Sequence, residues 1–374
     1  MACCFGEDTG PAEAERLWKI FKSNPDSIKS PLYKHFTKEI LDELKKVKTT
    51  FGGTLVHQIK GGMTNMDDPI GVYATDQDAY TAFAPLYDPV IKDYFQVEEL
   101  NHPETAYGTF EEVTELENMN LDPTGKYIKR VCIEQRRNLE GHAFVSLQSK
   151  AKREAVERIV MRLCKHLEWS SCSKYDSMLK QHEDFYQLIE RDDMCMKADN
   201  KYLQDAGGYK MYPWQRGIWG NPRQLLDNAQ YVYVNHEDHL RLFIIENNRK
   251  LTDCYRQMSR DIVNLRLHHF FAKRKGLGYL TFSPTNIGTA MRISVRVRLP
   301  KLSKQPDFAE ICETNNLYCQ KVEPAKDVVV EADDILYELW NKHKMGMTEI
   351  DILREVVKGL EKVFEEEKNL EGKK

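Results

Sequence analysis

The stretch Thr281-Phe282-Ser283-Pro284-Thr285-Asn286-Ile287-Gly288-Thr289-Ala290-Met291-Arg292 joins a turn to a strand. Pro284 presets its own backbone angle and Asn286 can hydrogen-bond to neighbouring main chain, so the segment from Ser283 to Asn286 reads as a turn. Beyond it, Ile293-Ser294-Val295-Arg296-Val297-Arg298-Leu299 alternates apolar and polar residues without a break, the period of a half-buried strand. On chemistry alone Ser283 is a strand-end serine, because no His/Asp arrangement in the sequence makes it a nucleophile.

Working outward, Tyr231-Val232-Tyr233-Val234 and Leu242-Phe243-Ile244-Ile245 read as further strands. Leu251, Tyr255, Met258, Ile262 and Leu265 form the apolar stripe of one long helix, and Leu353, Val356, Leu360 and Val363 that of another, opened by a capping-box-like Thr348 and Asp351. Residues 12–60 carry helical periodicity, as in Phe36, Ile40, Leu41, Leu44 and Val47, with Asp76 and Asp88 in turns that follow. The Glu-rich run 111–117 leads into Asp122-Pro123-Thr124-Gly125, a turn that reads as a domain boundary. The tail Glu365-Glu366-Glu367-Lys368 reads as a solvated helix end.

Composition bounds the class. The 374 residues are 41% hydrophobic, ample for a core and for more than one domain. A net charge of -4 gives no electrostatic reason to expect nucleic acid, and no apolar run spans a bilayer. Nine cysteines without paired CxxC spacing are neither a disulfide scaffold nor a zinc site, and Cys132, Cys164, Cys172, Cys195, Cys254, Cys312 and Cys319 are expected as reduced thiols. Cys3 and Cys4 invite palmitoylation, but Ala2 stands where myristoylation needs glycine and no basic cluster adjoins, so a frayed terminus is the plainer reading. The expected location is cytoplasmic.

The opening segment resembles the Cys-Pro-Thr-Asn-Leu-Gly-Thr signature of the phosphagen kinases, with Ser283 in place of the cysteine. Other landmarks follow in order: Ile70-Gly71-Val72-Tyr73-Ala74 and the helix from Phe83 to Tyr94, Gln215-Arg216-Gly217-Ile218-Trp219-Gly220-Asn221, Asn235-His236-Glu237-Asp238-His239-Leu240-Arg241, and Met345-Gly346-Met347-Thr348-Glu349. The resemblance covers about residues 35 to 365 and is greatest to the arginine kinase branch. It implies an α+β fold: a small N-terminal all-helical domain (1–110), a linker (111–123), and a larger C-terminal domain (124–374) with an antiparallel β-sheet flanked by helices.

The resemblance also implies a site and exposes its departures. Glu237 matches the carboxylate that pairs with the guanidinium of the substrate, Arg241 and Arg292 match nucleotide-binding arginines, and Arg296 stands where the family has a base-contacting histidine. A second such histidine falls near Asp193. Anchoring on Asn138-Leu139-Glu140-Gly141 puts Cys132 and Glu134 where two more phosphate-binding arginines belong. A carboxylate there repels phosphate, and a one-residue shift to recruit another arginine turns the side chain to the opposite face. The closing loop, Gln320-Lys321-Val322-Glu323-Pro324-Ala325-Lys326-Asp327, has lost the family's glycines and arginines, leaving Asp327 or Glu331 out of register. Asp68 and Pro69 replace a small pair in the substrate-specificity loop, whose expected substrate contacts are Asp68, Ile70, Gly71 and Tyr73. Pro69 has no N–H to offer, and Asp68 repels a substrate carboxylate. Ser283 cannot supply the thiolate charge of the cysteine it replaces.

Two expectations follow from these matches and departures. The first is a pseudo-phosphagen kinase that keeps the fold, with Glu237 and Arg241 forming a salt bridge across the cleft, and acts as a binding or structural component for an unidentified protein partner. The second is an active ATP:guanidino phosphotransferase using ATP/ADP with Mg2+, which requires new cations from Arg130, Arg136, Arg296 or Arg298. The resemblance favours a monomer, and the charge and the lack of a bilayer-spanning run lead to the expectation of no nucleic-acid or membrane partner.

Overall fold

The computed structural model of the chain describes residues 9–23, 30–180, 198–220, 228–247, 250–323 and 335–372. Cys3, Cys4, Asp193, Cys195, Asn221, Asp327 and Glu331, all named above, lie outside them.

Eight strands form one sheet: β1 (Ile128–Arg137), β2 (Lys174–Ser177), β3 (Gly217–Gly220), β4 (Asn228–Val234), β5 (Leu240–Glu246), β8 (Met291–Arg298), β9 (Leu317–Lys321) and β10 (Leu336–Asn341). Their order is β2-β3-β4-β5-β1-β8-β10-β9, and every pair is antiparallel. A separate hairpin joins β6 (Lys273–Arg274) to β7 (Gly278–Tyr279). The architecture is α+β; the expected strands at 231–234 and 242–245 fall within β4 and β5, and that at 293–299 overlaps β8, which ends one residue earlier at Arg298.

Side chains alternate across this sheet, and one face is apolar. Val131 and Ile133 of β1, Leu242 and Ile244 of β5, and Ile293 and Val295 of β8 are wholly buried there. Helices Lys150–Cys164, Leu251–His268 and Glu349–Gly372 contribute to the same core through residues such as Val156, Met258 and Leu360. The last helix opens as its sequence predicts: the Thr348 hydroxyl donates to Asp351 Oδ2 (2.5 Å). A second core gathers the helices of residues 11–95 and takes in Phe144, Leu203, Phe282 and Ile287, so the opening segment packs into the helical layer.

The helical reading of 12–60 holds once it is divided into its parts, and two other expectations need correction. The periodic stretch from 12 to 60 is several short helices, Pro11–Lys22, Pro31–His35, Lys38–Leu44 and Leu55–Thr64. Pro31 begins one and Thr37 caps the next by accepting from Ile40 N (3.4 Å), so the stripe is interrupted by two new N-termini. Asp88 is inside helix Ala84–Phe95, paired with Arg274 Nη1 (3.2 Å), whereas Asp76 does sit in a turn and accepts from Ala79 N (3.0 Å). Finally, Glu367 is not solvated: it is fully buried and its carboxylate accepts from Lys301 N (3.0 Å) and Leu302 N (2.6 Å).

Asp261, on the buried side of helix Leu251–His268, gives a stability prediction. Burial pushes its carboxyl up to about 6, although Trp169 Nε1 donates to it (3.0 Å). Unfolded aspartate ionises near pH 4, so the folded state is penalised increasingly between about pH 4 and 6 and fully above. Asp261→Asn keeps the acceptor for Trp169 and removes the acid. It is expected to be more stable than wild type at pH 7 by about 1–3 kcal/mol, with the gain gone at pH 4; urea denaturation at the two pH values measures both.

Candidate active site

The polar face of the sheet carries the site. Arg130, Cys132 and Glu134 of β1, Tyr231 and Tyr233 of β4, Arg241, Phe243 and Ile245 of β5, and Arg292, Ser294 and Arg296 of β8 are spaced two residues apart and line one cleft of about 470 Å³. Glu338 of β10 and Asp199, Asn200, Tyr209, His236 and Glu237 complete it. Four arginines, Arg130, Arg241, Arg292 and Arg296, therefore face four carboxylates, Glu134, Glu237, Glu338 and Asp199.

Arg241 and Arg292 are each paired with cleft carboxylates. Glu134, 4% exposed, accepts from Arg241 Nε (2.9 Å) and meets Arg136 Nε at 2.5 Å. Arg136 Nη1 donates to Glu237, which also lies 3.6 Å from Arg241 Nη1. Burial by itself raises the pKa of both glutamates, but Arg136 and Arg241 more than reverse it. Glu237 is held down to about 2 and Glu134 well below the carboxylate range. Arg292 donates to Glu338 (3.1 Å) and lies 4.4 Å from the centre of the Trp340 ring.

Contrary to the expectation from sequence, no change of face is needed to bring Arg130 or Arg136 to the site. Arg130 and Arg136 are two residues, not one, from Cys132 and Glu134, so all four project to the same side of β1. Arg130 and Arg296 line the cleft, and Arg136 reaches it through its two glutamates; Arg298 is not among the lining residues. Glu134 is likewise no bare charge awaiting phosphate, since two guanidiniums neutralise it. The expected Glu237–Arg241 approach is present, but the shorter contact of Glu237 is with Arg136.

The specificity-loop residues are not among these lining residues and are buried. Asp68 is 1% exposed; its Oδ1 accepts from Ile70 N (2.9 Å) and Gly71 N (2.8 Å), and its Oδ2 from the Tyr73 hydroxyl (2.7 Å). Its charge is spent on the loop's own donors, which corrects the expectation that it stands ready to repel a ligand. Burial, then the charge of Asp68, pushes the Tyr73 hydroxyl far above its ordinary range. Gly71 has φ +83°, and a Cβ there would stand 2.6 Å from Leu32 Cβ, so the turn admits only glycine.

Ser283 is also outside the cleft lining. Its hydroxyl pairs with Thr285 Oγ1 (2.9 Å) at the head of the short turn Pro284–Asn286. The neighbouring acid and imidazole are fastened to backbone. Asp238 accepts from Asn138 Nδ2 (2.6 Å) and Phe282 N (2.8 Å). His239 accepts from Leu139 N at Nδ1 (2.9 Å), which leaves the proton on Nε2 for the Ala143 carbonyl, and burial holds its pKa down to about 3.

Sequence reading missed Arg136 as the partner of Glu237, the aromatic wall of Tyr231, Tyr233 and Phe243, and Lys344. Tyr231 and Phe243 stack at 4.7 Å. Lys344 donates to Asn286 Oδ1 (2.7 Å), and burial, reinforced by Arg136, lowers its pKa to about 7. The recurrence of charged residues at 130, 134 and 136 was a usable signal; Lys344 gave none. A triphosphate needs uncommitted cations, and here Arg241 and Arg292 are already bound to carboxylates, so the lining fits a nucleotide phosphate chain poorly. Among the described residues no group of three or more His, Cys, Asp or Glu side chains is placed to hold a metal ion.

The same fold recurs in known proteins. Residues 154–370 match the C-terminal catalytic domain of the ATP:guanido phosphotransferases and residues 26–92 match their N-terminal domain. The chain is 35% identical over 358 residues to an arginine kinase of Liolophura japonica, covering 96% of this chain and 99% of that one. It is 37% identical over 348 residues to an arginine kinase of Turbo cornutus, covering 92% and 94%. Among solved structures, the duplicated taurocyamine kinase from Schistosoma mansoni with bound transition-state analogue components superposes with a TM-score of 0.86 at 27% identity. The match covers 94% of this chain and 48% of that one, so the chain spans about half the length of that duplicated protein. Two domain matches in the right order, together with identity carried through nearly the whole of both arginine kinases, leave one assignment: the chain belongs to the ATP:guanido phosphotransferase, or phosphagen kinase, family.

Proposed function

We propose that this protein is a phosphagen kinase family member whose phosphotransferase site no longer turns over, and that it serves as a binding or structural component in the cytoplasm. One observation carries the reading: Glu134 holds both Arg136 and Arg241 where the family resemblance calls for a cation. Phosphoryl transfer depends on positioning and on positive charge around the transferred group. A cleft in which Arg241 and Arg292 are already bound to carboxylates has less of that charge to give. Ser283 in place of cysteine, and Asp68 spending the loop amides, point the same way.

A second reading is favoured by Arg130 and Arg296, both of which line the cleft. On that reading the protein is an arginine-kinase-like enzyme in which Arg130, Arg241, Arg292 and Arg296 would hold the phosphates of ATP with Mg2+, and Glu237 would take the guanidinium. An assay of phosphoryl transfer from MgATP to arginine and to taurocyamine separates the two. No turnover above the enzyme-free rate is expected with either compound; turnover with one would establish the second reading and name the substrate. A single-chain mass in solution and a division of the chain at 111–123 are further expectations of the proposal.

A further inference from the structure

We propose that Glu134 and Glu237 form a guanidinium-binding site whose resident is the chain's own Arg136, so that the cleft excludes free guanidino compounds by self-occupancy. The inference rests on the reading of Glu237 just given and adds what fills it. Arg136 presents its fork to two carboxylates, Nε to Glu134 Oε1 (2.5 Å) and Nη1 to Glu237, with Asp238 Oδ2 3.9 Å away. This is the planar, multidentate pairing that guanidinium makes with carboxylates. The Arg136 side chain is 14% exposed and that of Glu237 16%, so the contact is shielded from water.

Register makes the contact a property of the fold. Arg136 lies directly across from Arg241 in the β1–β5 pairing, and Glu134 across from Phe243. Arg241 therefore braces the same two glutamates from the neighbouring strand, at 2.9 Å to Glu134 and 3.6 Å to Glu237. A free guanidinium entering from the cleft meets a carboxylate that already has a tethered partner of the same chemistry. Because that partner is intramolecular, it competes with any free guanidinium at a high effective concentration.

The test uses N-methylguanidinium as the probe. Arg136→Ala deletes the resident and leaves the carboxylates in place. It is expected to melt at lower temperature than wild type and to regain much of the loss in millimolar N-methylguanidinium, saturably, while wild type is unmoved by the probe. Arg136→Ala/Glu237→Gln, which keeps only one of the two carboxylates, should be rescued less than Arg136→Ala. A folded Arg136→Ala protein indifferent to the probe overturns the proposal, as does wild type binding it as tightly as the variant.

Should Arg136→Ala fail to fold, wild type decides the matter. In its NMR spectrum the Arg136 Nε–H proton is expected downfield, slow to exchange and unshifted by the probe; an exposed, fast-exchanging resonance overturns the proposal. Nucleotide binding by wild type would contradict the function proposed above without touching this result, so the two can fail separately.

Discussion

Replacing Glu134 with arginine, the residue type that the family resemblance expects there, should destabilise the protein by roughly 3–5 kcal/mol and should not create a nucleotide site. In the native cleft Glu134 neutralises Arg136 and Arg241 at 2.5 and 2.9 Å in a nearly buried position. Glu134→Arg removes that shared anion and puts a third guanidinium beside the other two, with Glu237 left to balance them. Breaking a buried pair while stranding its partners is among the costliest single changes. Adding Arg136→Ala to Glu134→Arg should recover part of the loss, since one of the repelling cations is then gone, and the two effects should be strongly non-additive. Urea denaturation of the two single variants and the double variant measures this. A Glu134→Arg protein of native stability that binds MgADP would mean that the cleft is a kinase site one residue from working.

The same cluster sets a pH window. Glu237 is held down to about 2 by the guanidiniums, against an unfolded value near 4.3. For a carboxylate with depressed folded pKa, the stabilisation is fully present above the unfolded pKa and is lost as pH falls through the folded one. Wild type should therefore lose roughly 2–3 kcal/mol from this group between about pH 5 and pH 2. Glu237→Gln should be the less stable protein at neutral pH and should show a correspondingly flatter decline across that window. Stability measured by urea titration at several acid pH values tests the difference. Equal slopes for the two proteins would mean that Glu237 is not held by Arg136 and Arg241 in solution.

The sheet was legible because its signal is local. The alternation from Ile293 to Leu299 fixes a period of two without reference to any other part of the chain, and β8 appears there. The opening helices were less so, since the stripe through Phe36, Leu41 and Leu44 records which residues are buried but not that Pro31 and Thr37 start new helices beneath it. Within the site, the candidate residues could be named from sequence, but their partners could not. Arg136 meets Glu237 because β1 and β5 pair in one register, a relation between positions 101 residues apart. The commitment of Asp68 to Ile70 N and Gly71 N is a local turn of the kind aspartate makes, and it was readable in principle. Lys344 owes its chemistry wholly to tertiary neighbours, Asn286 and Arg136.

Equilibrium binding of MgADP to the wild-type protein by calorimetry, without and with arginine, most directly tests the claim that this cleft has exchanged phosphate binding for internal ion pairing. The account predicts no saturable heat at millimolar nucleotide, with or without the guanidino compound. Saturable binding of MgADP that tightens when arginine is added would contradict it and restore the phosphotransferase reading.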